Sequence, residues 1–205
     1  AVVEAVLAAR QHPELVIQAS AVGYYGPRSD GVFDESAPAG SDFLAGVCQD
    51  WEAATRSVEA LGIRRAVVRI GVVLAAHGGA LPRQMLPFRF FAGGPIGSGR
   101  QGYPWIHLDD VVGALVFLAE NPQARGVYNL TAPNPLTNAE FSRALGRALH
   151  RPALIPAPGL IFRLAFGEAA TILLDGQMPL PTRLLEAGYS FRYPQVDAAL
   201  KSIFA

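Results

Sequence analysis

The stretch Val16-Ile-Gln-Ala-Ser-Ala-Val-Gly-Tyr-Tyr-Gly26 decides the fold. Its apolar, β-branched opening predicts a buried parallel strand over Val16–Ala21. Small residues then cluster at Ala19, Ser20, Ala21 and Gly23, which lets a ligand approach the backbone closely. In open α/β sheets, ligands bind outside the carboxyl ends of the strands. A hydroxyl at that edge, followed by the phenols of Tyr24 and Tyr25, supplies hydrogen-bond donors for a bound carbonyl or hydroxyl. One of the two phenols is a candidate proton donor. A free phenol titrates near about 10, so it needs an adjacent cation or dipole to ionise at neutral pH. The alternative is that Ser20 bonds only backbone and both tyrosines pack in the core.

Working outward, Val3, Val6, Leu7 and Arg10 stand at helical spacing, and Pro13 stops that helix. Residues 26–42 are a loop rich in Gly, Pro, Ser and Asp. Ser41 or Asp42 then caps a helix over 43–61. Its apolar stripe is Leu44, Val47, Cys48, Trp51, Ala54, Val58 and Leu61, and Gly62 ends it. Arg65–Leu74 reads as a second buried strand, parallel to the first because a helix connects them. Arg69 is a charge inside that apolar run and needs a partner, either Glu52 or a ligand.

Further along, a helix over 80–91 is interrupted at Pro87, and a Gly-rich loop covers 93–104. Ile106-His-Leu108 is a short extended piece, and Asp109 or Asp110 caps a helix running to Glu120. Gly126–Leu130 is a third strand, and Thr137 with Glu140 forms a capping box for a helix through Leu149. From Arg151 the chain becomes a series of Pro-punctuated short helices, near 158–166, 168–175, 181–187 and 195–203. Strands alternating with helices predict an α/β class with a Rossmann-like parallel sheet in residues 1–150. Residues 151–205 are expected to form a small, mostly helical C-terminal domain on the substrate side. Three strands and a start in mid-helix predict an incomplete sheet whose first strands are not in this chain.

Composition narrows the function. Formal net charge is zero, no basic stripe exists and 51% of residues are hydrophobic, so nucleic acid is not expected as a partner. No uninterrupted apolar 18-mer or secretory signal is present, so no membrane partner is expected and the expected location is cytoplasmic. The single cysteine, Cys48, excludes an internal disulfide and a Cys-based zinc site. His12, His77, His107 and His150 are not at metal-ligand spacing, and His107 reads as structural, so no metal is expected. Gly97-Ser-Gly-Arg-Gln-Gly102 matches G-x-G-x-x-G, but no core strand precedes it and Pro104 resists a helix after it. It reads as a surface or substrate-side loop and not as a phosphate cradle.

Several stretches together resemble a known group. They are Ser20-Ala-Val-Gly-Tyr-Tyr-Gly26, Asp50-Trp-Glu52, Arg69-Ile-Gly-Val-Val-Leu74, Pro104-Trp-Ile-His-Leu-Asp-Asp110 and Tyr128-Asn-Leu-Thr-Ala-Pro133. They resemble the extended short-chain dehydrogenase/reductases, and more closely the atypical branch of epimerase family proteins. The tail, from Leu149-His-Arg-Pro152 through Leu173-Leu-Asp-Gly-Gln177 to Tyr193, is similar to the small C-terminal domain of that branch. The resemblance implies a Rossmann-type domain binding NADP or NAD, with NADP favoured, and a small-molecule substrate. It also implies a glycine-rich phosphate loop near the family's N-terminus, so the chain resembles the C-terminal two thirds of such a protein and is expected to bind dinucleotide weakly by itself. The same resemblance matches Ser20 to the family's strand serine, which serves the reacting group; Tyr24 and Tyr25 are candidates as the only phenols close to it in sequence. Ser20, Ala21, Arg69, Gly71 and Val72 lie against the cofactor, and Arg100, Gln101 and Tyr103 lie against substrate. In related folds the helix matching 43–61 sits at a dimer interface, which implies a homodimer.

The departures are specific. The wider family uses Tyr-x-x-x-Lys in the helix after the serine. Anchoring on Glu52 puts Leu44 and Cys48 at those positions, and a one-residue shift gives Phe43 and Val47. Sixteen arginines accompany one lysine, Lys201, so no rearrangement restores the pair. Where sugar-nucleotide enzymes place an arginine on the diphosphate, this chain has Tyr103, with Arg100 three residues earlier. Three readings follow: an NAD(P)-dependent epimerase or reductase of a small, apolar-bodied or sugar-nucleotide substrate, an NADP(H)-binding sensor or scaffold that has lost catalysis, and a dimerising structural module.

Overall fold

A computed structural model describes residues 1–28, 31–160, 164 and 174–205. Its central sheet is parallel, with strands β1 (Leu15–Ala21), β3 (Arg64–Ile70) and β6 (Gly126–Leu130) in the order β1-β3-β6. The register aligns Ser20 with Arg69 and Arg69 with Asn129, so three polar residues form one row across the sheet. Helix α1 (Val2–Ala8) precedes β1, and its Val6 packs with Val58 and Ile63 in a small cluster beside the sheet.

The connection from β1 to β3 differs from the single helix expected over 43–61. Helix α2 covers Phe43–Ala53, and a separate 3-10 turn follows at Arg56–Leu61. Asp42 is the cap, its Oδ1 accepting from the amides of Leu44 and Ala45. The helix stops because the Arg65 guanidinium takes the Glu52 carbonyl, and Arg65 Nε bonds Thr55 Oγ1 at 2.8 Å. A carbonyl held from the side leaves the next turn to tighten.

The second strand expected over 65–74 is also two strands. β4 (Val72–Leu74) leaves the central sheet and pairs in parallel with β5 (Trp105–His107). The change of partner falls on Gly71. A side chain there would collide with the Pro104 carbonyl oxygen, which accepts from Val72 N at 2.6 Å. Only glycine lets these two backbones meet.

Helix α3 (Leu81–Arg89) runs through Pro87 and ends two residues later. Helix α4 (Leu108–Glu120) is capped by His107, not by Asp109 or Asp110 as expected, with His107 Nδ1 accepting from Asp109 N at 3.0 Å. The Asp110 carboxylate is instead buried and accepts from the amides of Arg192 and Tyr193. Helix α5 (Asn138–Leu149) has the expected Thr137–Glu140 capping box. Strand β2 (Val32–Phe33) pairs with β7 (Met178–Pro179), a link across the chain that no local pattern announced. Short helix α6 (Thr182–Glu186) and terminal helix α7 (Val196–Phe204) complete the described residues. The helices expected near 158–166 and 168–175 fall mainly on residues outside those described.

Two apolar cores hold these pieces. One packs Ala66, Val68 and Leu130 of the sheet against Val111, Ala114 and Leu118 of α4. The other packs Phe141, Ala144 and Leu145 of α5 with Ala199 and Leu200 of α7 around Leu74, Tyr103 and Trp105. The C-terminal helix therefore shares its core with the segment that walls the strand ends.

Candidate active site

A chamber of about 360 Å³ opens beyond the carboxyl ends of β1 and β3. Its floor is Ala21, Val22, Gly23, Ile70, Gly71 and Val72. One side wall is α2, through Leu44, Val47, Cys48 and Trp51. These are spaced three and four residues apart, so they share one helical face. The opposite wall is polar and comes from Gln84, Gln101, Tyr103, Asn138 and Gln177. Asp42 and Asp175 are the only charged residues that line it among the described residues.

The expected site residues divide into two groups. Ala21, Gly71, Val72, Gln101 and Tyr103 line the chamber. Ser20, Tyr24, Tyr25 and Arg69 do not; they belong to a polar network behind the wall. Ser20 Oγ donates to Glu52 Oε1 at 2.8 Å. Arg69 grips the same carboxylate with two bonds, Nε to Oε1 at 2.8 Å and a terminal nitrogen to Oε2 at 2.9 Å. The Tyr25 hydroxyl donates to Asn129 Oδ1 at 2.7 Å and accepts from Arg69 at 3.0 Å. The Tyr24 ring lies 3.2 Å from the guanidinium carbon. This corrects the expectation that the Ser20 and Tyr25 hydroxyls face a ligand. Successive strand residues point to opposite faces: Ser20 takes the row shared with Arg69, and Ala21 turns to the chamber with a methyl group. The paired alternative for Arg69, Glu52, is the one formed.

Electrostatics follow from this sealing. Burial pushes the Tyr25 phenol above its ordinary range, against the opposing effect of Arg69. Burial alone would lower the Arg69 guanidinium, but its bonds to Glu52 and Tyr25 outweigh that and hold it charged. Burial raises the Cys48 thiol, despite hydrogen bonds to Ala21 backbone and Ser20, so the thiol stays protonated on the chamber wall.

Both registers considered for the missing acid–base pair reach the chamber, the shifted one through Val47. Leu44 and Cys48, the register anchored on Glu52, both line the chamber. The helix thus presents hydrocarbon and an inert thiol where a phenol and an ammonium would stand. Arg100 lines a second, outer hollow of about 500 Å³ with Arg28, Ser98 and Met178. Gln101, Gly102, Asp175 and Gly176 border both spaces. The Gly97–Gly102 run is a turn followed by β5 and not by a helix.

Some chamber residues carried no readable signal. Gln84 on α3, Asn138 on α5 and Gln177 reach the chamber only through tertiary packing. The α2 stripe was legible as a helical face, but not as the wall of a cavity. Among the described residues no cluster of His, Cys, Asp and Glu could hold a metal ion, and no helix is long and apolar enough to cross a membrane.

A parallel β-sheet with helical crossovers and a chamber at its carboxyl edge is a Rossmann-like α/β architecture. The NAD dependent epimerase/dehydratase family model matches residues 1–131, and a domain of unknown function, DUF1731, matches residues 157–203. The chain belongs to the NAD dependent epimerase/dehydratase family, and its relatives place it in the atypical short-chain dehydrogenase/reductase branch. It is 45% identical over 195 residues to the chloroplastic epimerase family protein SDR39U1 homolog of Arabidopsis thaliana, covering 95% of this chain and 56% of that protein. It is 46% identical to epimerase family protein SDR39U1 of Mus musculus, covering 94% of this chain and 66% of that protein. A crystal structure of human epimerase family protein SDR39U1 with NADPH superposes with a TM-score of 0.92 at 42% identity, covering 98% of this chain and 68% of that one. The chain thus spans between about half and two thirds of the length of these relatives.

Proposed function

We propose that this chain forms the nicotinamide and substrate end of an NADP(H)- or NAD(H)-dependent epimerase or reductase that acts on a small molecule. The strand-end chamber is the observation that carries this reading. Its floor is small where a flat ring needs to reach the backbone, at Ala21, Gly23 and Gly71. Two buried acceptors on chamber residues, Asp42 Oδ2 and Gln177 Oε1, have no hydrogen-bond partner among the described residues. Orphaned acceptors beside an apolar floor suit a ligand with an apolar ring and a primary amide, as nicotinamide has. Ala21, Gly71 and Val72 would hold that ring, and the bound group would supply or accept a hydride. The NADPH in the human relative favours the phosphorylated dinucleotide. Residues 1–205 contain no strand–glycine loop–helix unit for the pyrophosphate, so the chain is assigned only this end of the site.

Leu44 and Cys48 at the acid–base positions support a second reading, a protein that binds the dinucleotide without turning over substrate. One experiment separates the two. The natural full-length protein is titrated with NADPH and NADH, following nicotinamide fluorescence, and then offered a panel of aldehydes and ketones. Saturable binding that is lost in Leu44→Trp, which fills the chamber, is expected. Consumption of NADPH with a carbonyl compound makes the protein an enzyme; binding without consumption makes it a sensor. Failure to bind either dinucleotide, or binding indifferent to Leu44→Trp, overturns the assignment of the chamber.

A further inference from the structure

We propose that Tyr103, held by Gln84, is the polar anchor for an uncharged, carbonyl-bearing ligand in the chamber. The inference rests on the reading of the chamber as a substrate site and adds the ligand's chemical class and the residue that recognises it.

Three observations carry it. First, Tyr103 provides the only hydroxyl group among the described residues that line the chamber; no serine, threonine or second tyrosine does so. Second, this phenol is fixed. Its ring stacks on Phe141 with centroids 4.1 Å apart and an interplanar angle of 22°, and its Oη donates to Gln84 Oε1 at 2.8 Å. Gln84 itself lines the chamber, and a side-chain amide can present either its oxygen or its nitrogen to the hydroxyl. In the turned state its N–H donates to Oη, and the phenol O–H is released toward a ligand oxygen. Third, no cation lines the chamber among the described residues. That lining includes two carboxylates, Asp42 and Asp175, and no lysine, arginine or histidine. A carboxylate or phosphate entering there would be desolvated against like charge, whereas a ketone oxygen needs only one donor.

Burial raises Tyr103 well above the ordinary phenol range, so it meets a ligand as a donor and not as a phenolate. This also changes the meaning of position 103. In place of a cation for a diphosphate, the chain has a neutral donor at the edge of an apolar space.

The test uses two ring compounds of similar size, cyclohexanone labelled with carbon-13 at its carbonyl and cyclohexanecarboxylate. Binding to the protein without dinucleotide is followed by saturation-transfer NMR, and the carbonyl resonance of the ketone is read directly. The expected result is a downfield shift of the bound carbonyl. Tyr103→Phe, which keeps the ring on Phe141, should remove the shift and weaken binding about three- to tenfold, the worth of one neutral hydrogen bond. Gln84→Met should keep the shift, because the phenol then has no competing acceptor; it serves as the second variant if Tyr103→Phe does not fold. The carboxylate should not compete. An unchanged carbonyl shift in Tyr103→Phe, loss of the shift in Gln84→Met, equal binding of the carboxylate or no ketone binding would overturn the proposal. Reduced nicotinamide mononucleotide, titrated by fluorescence in the same samples, separates the two levels. If it binds while the Tyr103 dependence fails, the anchor alone is wrong. If neither probe binds, the chamber assignment fails as well.

Discussion

Arg69→Met tests whether the row behind the chamber is one structural unit. Arg69 is 3% exposed and Glu52 8%, and two hydrogen bonds of 2.8 and 2.9 Å join them. Removing the guanidinium leaves the Glu52 carboxylate with Ser20 Oγ as its side-chain donor. It also strips the Tyr25 oxygen of a donor and the Tyr24 ring of its cation. Breaking a buried pair by removing one member costs about 3–5 kcal/mol, against about 0–1 for an exposed pair. For a chain of this length each kcal/mol moves the melting temperature by about 2–4 °C, so a drop of about 6–20 °C is expected. Urea unfolding of wild type, Arg69→Met, Glu52→Leu and the double variant forms a thermodynamic cycle. The double variant should recover at least about half of the Arg69→Met loss, because it leaves no charge unpaired. A single-variant cost below about 1 kcal/mol, or strictly additive costs, would refute the idea that the two residues form one sealed ion pair.

Two further outcomes follow from the α4 entrance. His107 is buried, and that burial lowers its titration below the ordinary value. A depressed histidine contributes stability above its unfolded value of about 6.5 and loses it as pH falls, because protonating Nδ1 removes the acceptor for Asp109 N. The melting temperature should therefore fall from pH 7.5 to 5.5, and His107→Asn, which retains a capping acceptor, should flatten that part of the profile. Asp110→Ala should cost about 2–3 kcal/mol, since it leaves the amides of Arg192 and Tyr193 without their acceptor. Hydrogen exchange should show those two amides losing protection before the central sheet does.

The regular alternation of the chain was legible because each element carried its own period. The apolar runs at Val16 and Arg65 marked strands, and the Thr137–Glu140 box marked the start of α5. The partner change at Gly71 was not legible, because a run buried on both faces reads the same before and after it. The β2–β7 pair joins residues nearly the whole chain apart, and two-residue strands have no period at all. The face of Ser20 was hidden for a related reason. In Gln18-Ala-Ser-Ala21 polar and small residues alternate, which puts Ser20 on the Gln18 face, but the alternation does not tell which face adjoins the chamber. The chamber's polar wall depends on Gln84, Asn138 and Gln177, which come from three separate segments.

The placement of polarity at this strand end constrains what chemistry it can support. Along α2, Leu44, Cys48 and Glu52 follow one another at intervals of four and share a face. That face meets the chamber at Leu44 and Cys48 and the Arg69 network at Glu52. The groups that could exchange protons on this side, Glu52 and Tyr25, are held by Arg69, with Tyr25 only 1% exposed. Among the described residues, the proton-bearing groups that line the chamber itself are Asp42, Asp175, the raised thiol of Cys48 and the phenol of Tyr103. The thiol is a weak donor. The polar row therefore stands behind the floor, and the polar groups open to a ligand at the strand end come from α3, the loop before β5, Asn138 and the segment 175–177.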